Sequence, residues 1–299
     1  MYNEGRLSKV AHIRACLGES PVWDTRNRLL YFVDISGGEI KVLYPQGRVE
    51  TVYQSTARIG ALGLTDNGNL IFTENASIAM FNITTQEVYR RTAAIVDGTS
   101  YRFNDGACDP QGRFVTGLMD EAPDRRVGAL YRYDSELNAE IILRDVALPN
   151  GLAWSEDGRS LFFVDSIARS IFRTTYSTEG ELGGVKLFAQ TPTELGRPDG
   201  IALDKAGGLW VCQFNGGCLL RYDRDGQLSH HLAMPVPRPT SCCFGGEDLN
   251  TLYITTARFA MTPAELADYP DAGDLYAFRP DVAGIPRYLY RESFPEAMQ

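Results

Sequence analysis

Leu148-Pro-Asn-Gly-Leu-Ala-Trp-Ser-Glu-Asp-Gly-Arg-Ser-Leu-Phe-Phe-Val-Asp-Ser166 decides the fold. It holds, in order, a polar head (Asn150), a short apolar run to Trp154, a turn over Ser155-Glu156-Asp157-Gly158, and a second apolar run of aromatic and β-branched residues. Such runs favour strand, and the turn residues supply the backbone angles of a hairpin. Five other segments open in the same way: Glu19-Ser-Pro-Val-Trp23, Gly60-Ala-Leu-Gly-Leu64, Asn104-Asp-Gly-Ala-Cys108, Asp199-Gly-Ile-Ala-Leu203 and Thr240-Ser-Cys-Cys-Phe244. The heads stand 41, 44, 46, 49 and 41 residues apart, a period that marks a repeat architecture.

Each head is followed by a turn and a second strand-like stretch, at 29–35, 69–75, 113–119, 160–166, 208–214 and 251–257. Further alternating runs follow, as at 128–134, 170–176, 218–226 and 273–281. Four antiparallel strands per period is the pattern of a propeller blade. A helical repeat of the same length is disfavoured by the frequent glycines and the lack of 3.6-residue periodicity. The fold expected is an all-β, six-bladed β-propeller occupying residues 1–299 as one domain. The headless stretch around Val10–Cys16 is expected to close the ring by completing the blade made by the carboxy-terminal segments, leaving no open edge. One helix is predicted, with Thr262 as N-cap, Pro263 at its first position and Glu265 completing a capping box. It lies in an insertion between Ala257 and Gly273, and a second insertion follows Met119; both should rim the face that carries the heads.

A net charge of −9 and a pI near 5.0 argue against nucleic acid or an anionic membrane as partner. No run approaches the ~18 apolar residues of a membrane span, and the first residues lack the apolar core of a secretory signal, so a cytoplasmic location is expected. The six cysteines form no CxxC pair and read mainly as buried small hydrophobes. None of His12, His230 and His231 heads a blade, and no GxSxG elbow is present.

Closing the ring brings Glu19, Gly60, Asn104, Asn150, Asp199 and Thr240 to the axis. Four are carboxylates or carboxamides, an oxygen-rich cluster suited to a hard or borderline divalent cation. Without a cation the two carboxylates would repel and one would have its pKa raised. Any single head, taken alone, reads more readily as a turn residue bonding its own backbone; it is the agreement of four heads in register that favours a joint site. Asp34, Glu74, Asp165 and Gln213 end second strands and are expected to be solvated junctions.

The segments at 17–24, 102–121, 148–166, 197–217 and 240–258 resemble the gluconolactonase/regucalcin (senescence marker protein) family, in order and over nearly the whole chain. The resemblance implies one divalent metal on the axis (Ca²⁺, Zn²⁺, Mn²⁺, Mg²⁺ or Fe²⁺) and hydrolysis of a sugar aldonolactone to the aldonic acid. By position, Glu19, Asn150 and Asp199 match the metal ligands. Asp199 also matches the acid/base residue, and Arg102 and Asn104 match substrate contacts. The chain departs from the family with Gly117-Leu118-Met119 in place of Gly-Thr-Met, and Glu121 is the approximate counterpart of a substrate-contacting acid. The mechanism implied is polarisation of the lactone carbonyl by the metal, with Asp199 taking a proton from the attacking water and returning it to the ring oxygen. The competing readings are a non-catalytic calcium-binding protein, a scaffold for a protein partner, and a phosphoester hydrolase.

Overall fold

The computed structural model describes residues 6–96, 100–121 and 127–293. Six four-stranded antiparallel sheets form the blades. Their inner strands are Gly18–Asp24, Leu62–Leu64, Tyr101–Cys108, Pro149–Trp154, Arg197–Leu203 and Pro239–Gly245. Each inner strand packs beside the next, and the sixth returns to the first, so the ring is closed. The six-bladed propeller is therefore as the repeat predicts.

The hairpin turns follow the sequence closely. Gly68, Gly112, Gly158 and Gly207 each donate their backbone N–H to the carbonyl three residues earlier. Apolar faces pack between neighbouring blades, with Val33, Ile40, Leu62 and Phe72 joining blades 1 and 2. Trp210, Leu219, Ile254 and Phe278 join blades 5 and 6. Five cysteines are buried as expected, whereas Cys16 is exposed just ahead of the first inner strand.

Closure comes from the strand Leu7–Ala11, which pairs antiparallel with Leu275–Phe278 as the outer strand of blade 6. It begins three residues earlier than the Val10–Cys16 stretch. The residues after it are instead pinned by a buried carboxylate: Asp274 accepts hydrogen bonds from the Ile13 and Arg14 amides at 2.7 and 3.0 Å. The helix Pro263–Asp268 carries the predicted capping box, with the Glu265 amide donating to Thr262 Oγ1 at 3.3 Å and the Thr262 amide to Glu265 Oε2 at 2.7 Å.

The chain after the last strand crosses the far end of the inner strands. Ile285 and Tyr290 donate to the carbonyls of Leu203 and Leu64. The Arg287 guanidinium donates to Cys242 O at 3.1 Å and Ile201 O at 3.4 Å. This tail covers the axis at the end away from the heads.

Candidate active site

The heads are held by backbone irregularities at equivalent places. The pairing between first and second strands shifts register between Glu19 and Val22, Phe103 and Gly106, Asn150 and Leu152, Pro198 and Ile201, and Pro239 and Cys242. Bulges of this kind re-aim side chains and are common beside functional sites. In the fourth blade the bulge needs glycine: Gly151 has φ +43°, and a Cβ there would stand 2.6 Å from Asp199 O. Gly60 is fixed by proximity, since a Cβ would stand 2.2 Å from Phe103 O of the next blade.

Glu19, Asn104, Asn150 and Asp199 line one cavity of about 260 Å³. Arg102 and Glu121 line it too, so every residue singled out for metal or substrate meets at this place. The rest of the wall is mostly apolar, from Leu17, Met119, Leu148, Ile167, Phe214 and Phe259, with Ser166 and Arg197 as its further polar members. Phe259 comes from the helical insertion and Glu121 from the insertion after Met119, whose tip at 122–126 lies outside the described residues. The other two heads serve the scaffold. Thr240 donates to Gly18 O and contacts Thr255 Oγ1 at 2.9 Å, and Gly60 donates to Thr73 Oγ1.

The polar heads are almost fully buried. Asn104 Nδ2 donates to Pro149 O at 3.0 Å, while Arg102 Nη1 donates to Asn104 Oδ1 at 2.7 Å. Asn150 Nδ2 donates to Ser166 Oγ at 3.1 Å, and that hydroxyl donates to Pro198 O. Both amides are thus held by their nitrogens, and while Arg102 occupies the oxygen of Asn104, that of Asn150 is left free. Asn150 Oδ1 and Asp199 Oδ1 are buried with no hydrogen-bond partner. Orphaned acceptors of this sort are rare and costly in a finished interior.

Charge tells the same story. Burial, then the charges of Asp199 and Asp105, push the Glu19 carboxyl well above the usual range. Burial and then Asp105 do the same to Asp199, against opposing hydrogen bonds from Asn150 and the Gly200 amide. Burial also raises Asp105, with Arg287 the main opposing influence. Two orphaned oxygens beside a buried carboxylate are a donor set that a hard or borderline divalent cation fits. Arg102, whose pKa burial lowers, is 3.3 Å from Glu121 through Nε.

Three features were not anticipated from sequence. Asp105 is a third acid at the hub, and its signal was its place in Asn104-Asp-Gly beside a head. The second-strand ends are buried, not solvated: Asp34 accepts from the Cys16 and Leu17 amides and Asp165 from Ala147 and Leu148, so they brace the approach to the inner strand of their own blade. Glu74 binds Tyr53 and Ser55, and Gln213 is buried with both amide atoms unpartnered. Finally, His12, Asp271 and Asp274 cluster at the outer edge of blade 6. The Lys9 ammonium already lies 2.8 Å from Asp271 and 3.6 Å from Asp274, so this group is a ring-closing ion cluster.

Known proteins of similar sequence and shape agree with this frame. The chain is 36% identical to a 6-deoxy-6-sulfogluconolactonase of Pseudomonas putida, over 95% of this chain and 98% of that one. It is 34% identical to an L-arabinolactonase of Azospirillum brasilense, over 94% of each. A calcium-binding protein, regucalcin, of Agrobacterium tumefaciens superposes with a TM-score of 0.88 at 22% identity, covering 95% of this chain and 96% of that one, a likeness of fold. Residues 17–258 match the family described as SMP-30/Gluconolactonase/LRE-like, and the chain belongs to that family.

Proposed function

We propose that the protein is a lactonase that hydrolyses a sugar aldonolactone with the help of one divalent cation on the propeller axis. The observation that carries this is the pair of orphaned oxygens, Asn150 Oδ1 and Asp199 Oδ1, beside the buried Glu19 carboxylate. Glu19, Asn150 and Asp199 would hold the cation, which when bound supplies Lewis-acid polarisation of the lactone carbonyl. Asp199 takes a proton from the attacking water and returns it to the ring oxygen as the C–O bond breaks, giving the aldonic acid. Asn104, locked by Pro149 O and Arg102, presents a fixed amide to the sugar hydroxyls. Arg102, steadied by Glu121, holds a substrate oxygen and the charge that develops on it. The apolar wall packs the sugar ring and limits water. Two of the sequence relatives are named as lactonases, which supports this reaction class.

The test is acid release from a panel of sugar lactones after chelation and after return of Ca²⁺, Zn²⁺, Mn²⁺, Mg²⁺ or Fe²⁺. Turnover is expected only with metal, and Asp199→Ala is expected to lower it by at least ~10²-fold. Saturable metal binding with no turnover on any lactone overturns the reading in favour of a metal-binding protein.

A further inference from the structure

Equivalent positions of a closed ring form layers, and the layer two residues before the heads is unlike the heads themselves. It reads Leu17, Arg58, Arg102, Leu148, Arg197 and Arg238 around blades 1 to 6. Four arginines thus stand one step nearer the mouth than the acidic hub, in a chain whose net charge is −9.

Three of the four are engaged. Arg58 and Arg102 share Glu121. Arg238 is buried, donates to Asn215 Oδ1 at 2.6 Å, lies over the Phe214 ring and stands 3.7 Å from Glu265. Arg197 differs. It lines the same cavity as Glu19 and Asp199, it is exposed, and its guanidinium has no hydrogen bond or ion pair among the described residues. It lies opposite Phe214 in the strand register, so its base is fixed while its head is free.

We propose that Arg197 is a specificity-determining residue that binds an anionic group at the far end of the substrate, which makes the preferred substrate an acidic sugar lactone. This rests on the lactonase reading above. With the reacting carbonyl at the hub and the ring against Leu17, Leu148 and Phe214, the substituent remote from the lactone reaches the arginine layer. A planar guanidinium can take a carboxylate, sulfonate or phosphate through two parallel hydrogen bonds. The unengaged guanidinium of Arg197 also offers an anion a local attraction that its paired neighbours do not.

The experiment compares kcat/KM for D-glucono-1,5-lactone with that for analogues carrying phosphate, sulfonate or carboxylate at carbon 6. At least one anionic probe is expected to be preferred by ~10-fold or more, mainly through KM, and the probe preferred identifies the anion. Arg197→Gln should abolish that ratio, Arg197→Lys should keep part of it, and raised salt should shrink it. Arg28→Gln, the same charge change at an exposed turn on the opposite face, should leave the ratio as in the wild type. Hydrolysis of the neutral lactone with no anionic preference, or a preference that survives Arg197→Gln, overturns this inference alone. If no lactone, neutral or anionic, is hydrolysed with any metal, the lactonase reading fails and this one falls with it.

Discussion

Replacing Asp199 with asparagine separates the cost of the hub from its use. Three buried carboxylates, Glu19, Asp105 and Asp199, share it, with Arg102 and Arg287 as the cations that oppose them. The substitution keeps the shape and removes one charge, so the metal-free protein should become more stable. Relief of one poorly compensated buried charge is worth about 1–3 kcal/mol. Unfolding entropy of about 2.1 cal/mol/K per residue, over 299 residues, gives roughly 0.63 kcal/mol/K. The expected rise in Tm is therefore about 2–5 °C in a chelator. The sign with pH follows from the raised carboxyls. The folded state holds its protons to higher pH than the unfolded chain, so metal-free wild type loses stability as pH rises above the ordinary carboxylate range. The variant should lose less. Metal reverses the order: at a free concentration 100 times Kd, the wild type gains about 2.7 kcal/mol, or roughly 4 °C, while the variant gains little. Differential scanning calorimetry at several pH values, with chelator and with each divalent cation, reads all of this. A variant less stable than wild type in chelator, or wild type indifferent to every cation, would refute the reasoning.

Three other perturbations probe separate parts. Arg102→Lys keeps the charge but cannot reach Asn104 Oδ1, Phe103 O and Glu121 together; steady-state kinetics should show kcat/KM lowered about 10-fold or more. Arg287→Ala removes the donor to Ile201 O and Cys242 O and the counter-charge to Asp105. It should cost about 1–3 kcal/mol in a urea titration. A chain starting at Ile13 loses the outer strand of blade 6 and bares the edge of Leu275–Phe278. It should melt lower and associate with concentration, seen by light scattering.

The scaffold was legible because its signals are local. Turn residues, β-branched runs and the Thr262–Glu265 box each act within a few positions, and the repeat multiplies them. Convergence of Glu19, Asn104, Asn150 and Asp199 on one cavity followed from the period alone. What escaped depends on partners far along the chain. Regular alternation sends Asp105 away from the face of Asn104, and only the bulge between Phe103 and Gly106 brings its charge to bear on the hub. Asp34 and Asp165 look like exposed strand ends until the chain before each inner strand folds over them and donates its amides. Arg287 sits in a segment without strand pattern, and its place under the axis is set by carbonyls of blades 5 and 6. The ring-closing strand was misplaced by three residues because Asp274, not a ladder, secures Ile13 and Arg14.

Ring closure by Leu7–Ala11 also sets a schedule for biosynthesis. Its partner begins at Leu275, 264 residues after Ala11. At ~5–20 residues per second on the ribosome, the earliest strand waits roughly 13–50 s for its mate. During that interval five blades can assemble as a horseshoe whose two ends are unsatisfied. The last step is then a single long-range docking, slow for its chain separation. Nascent chains stalled before Leu275 are the population most exposed to chaperone capture and to pairing with a neighbour.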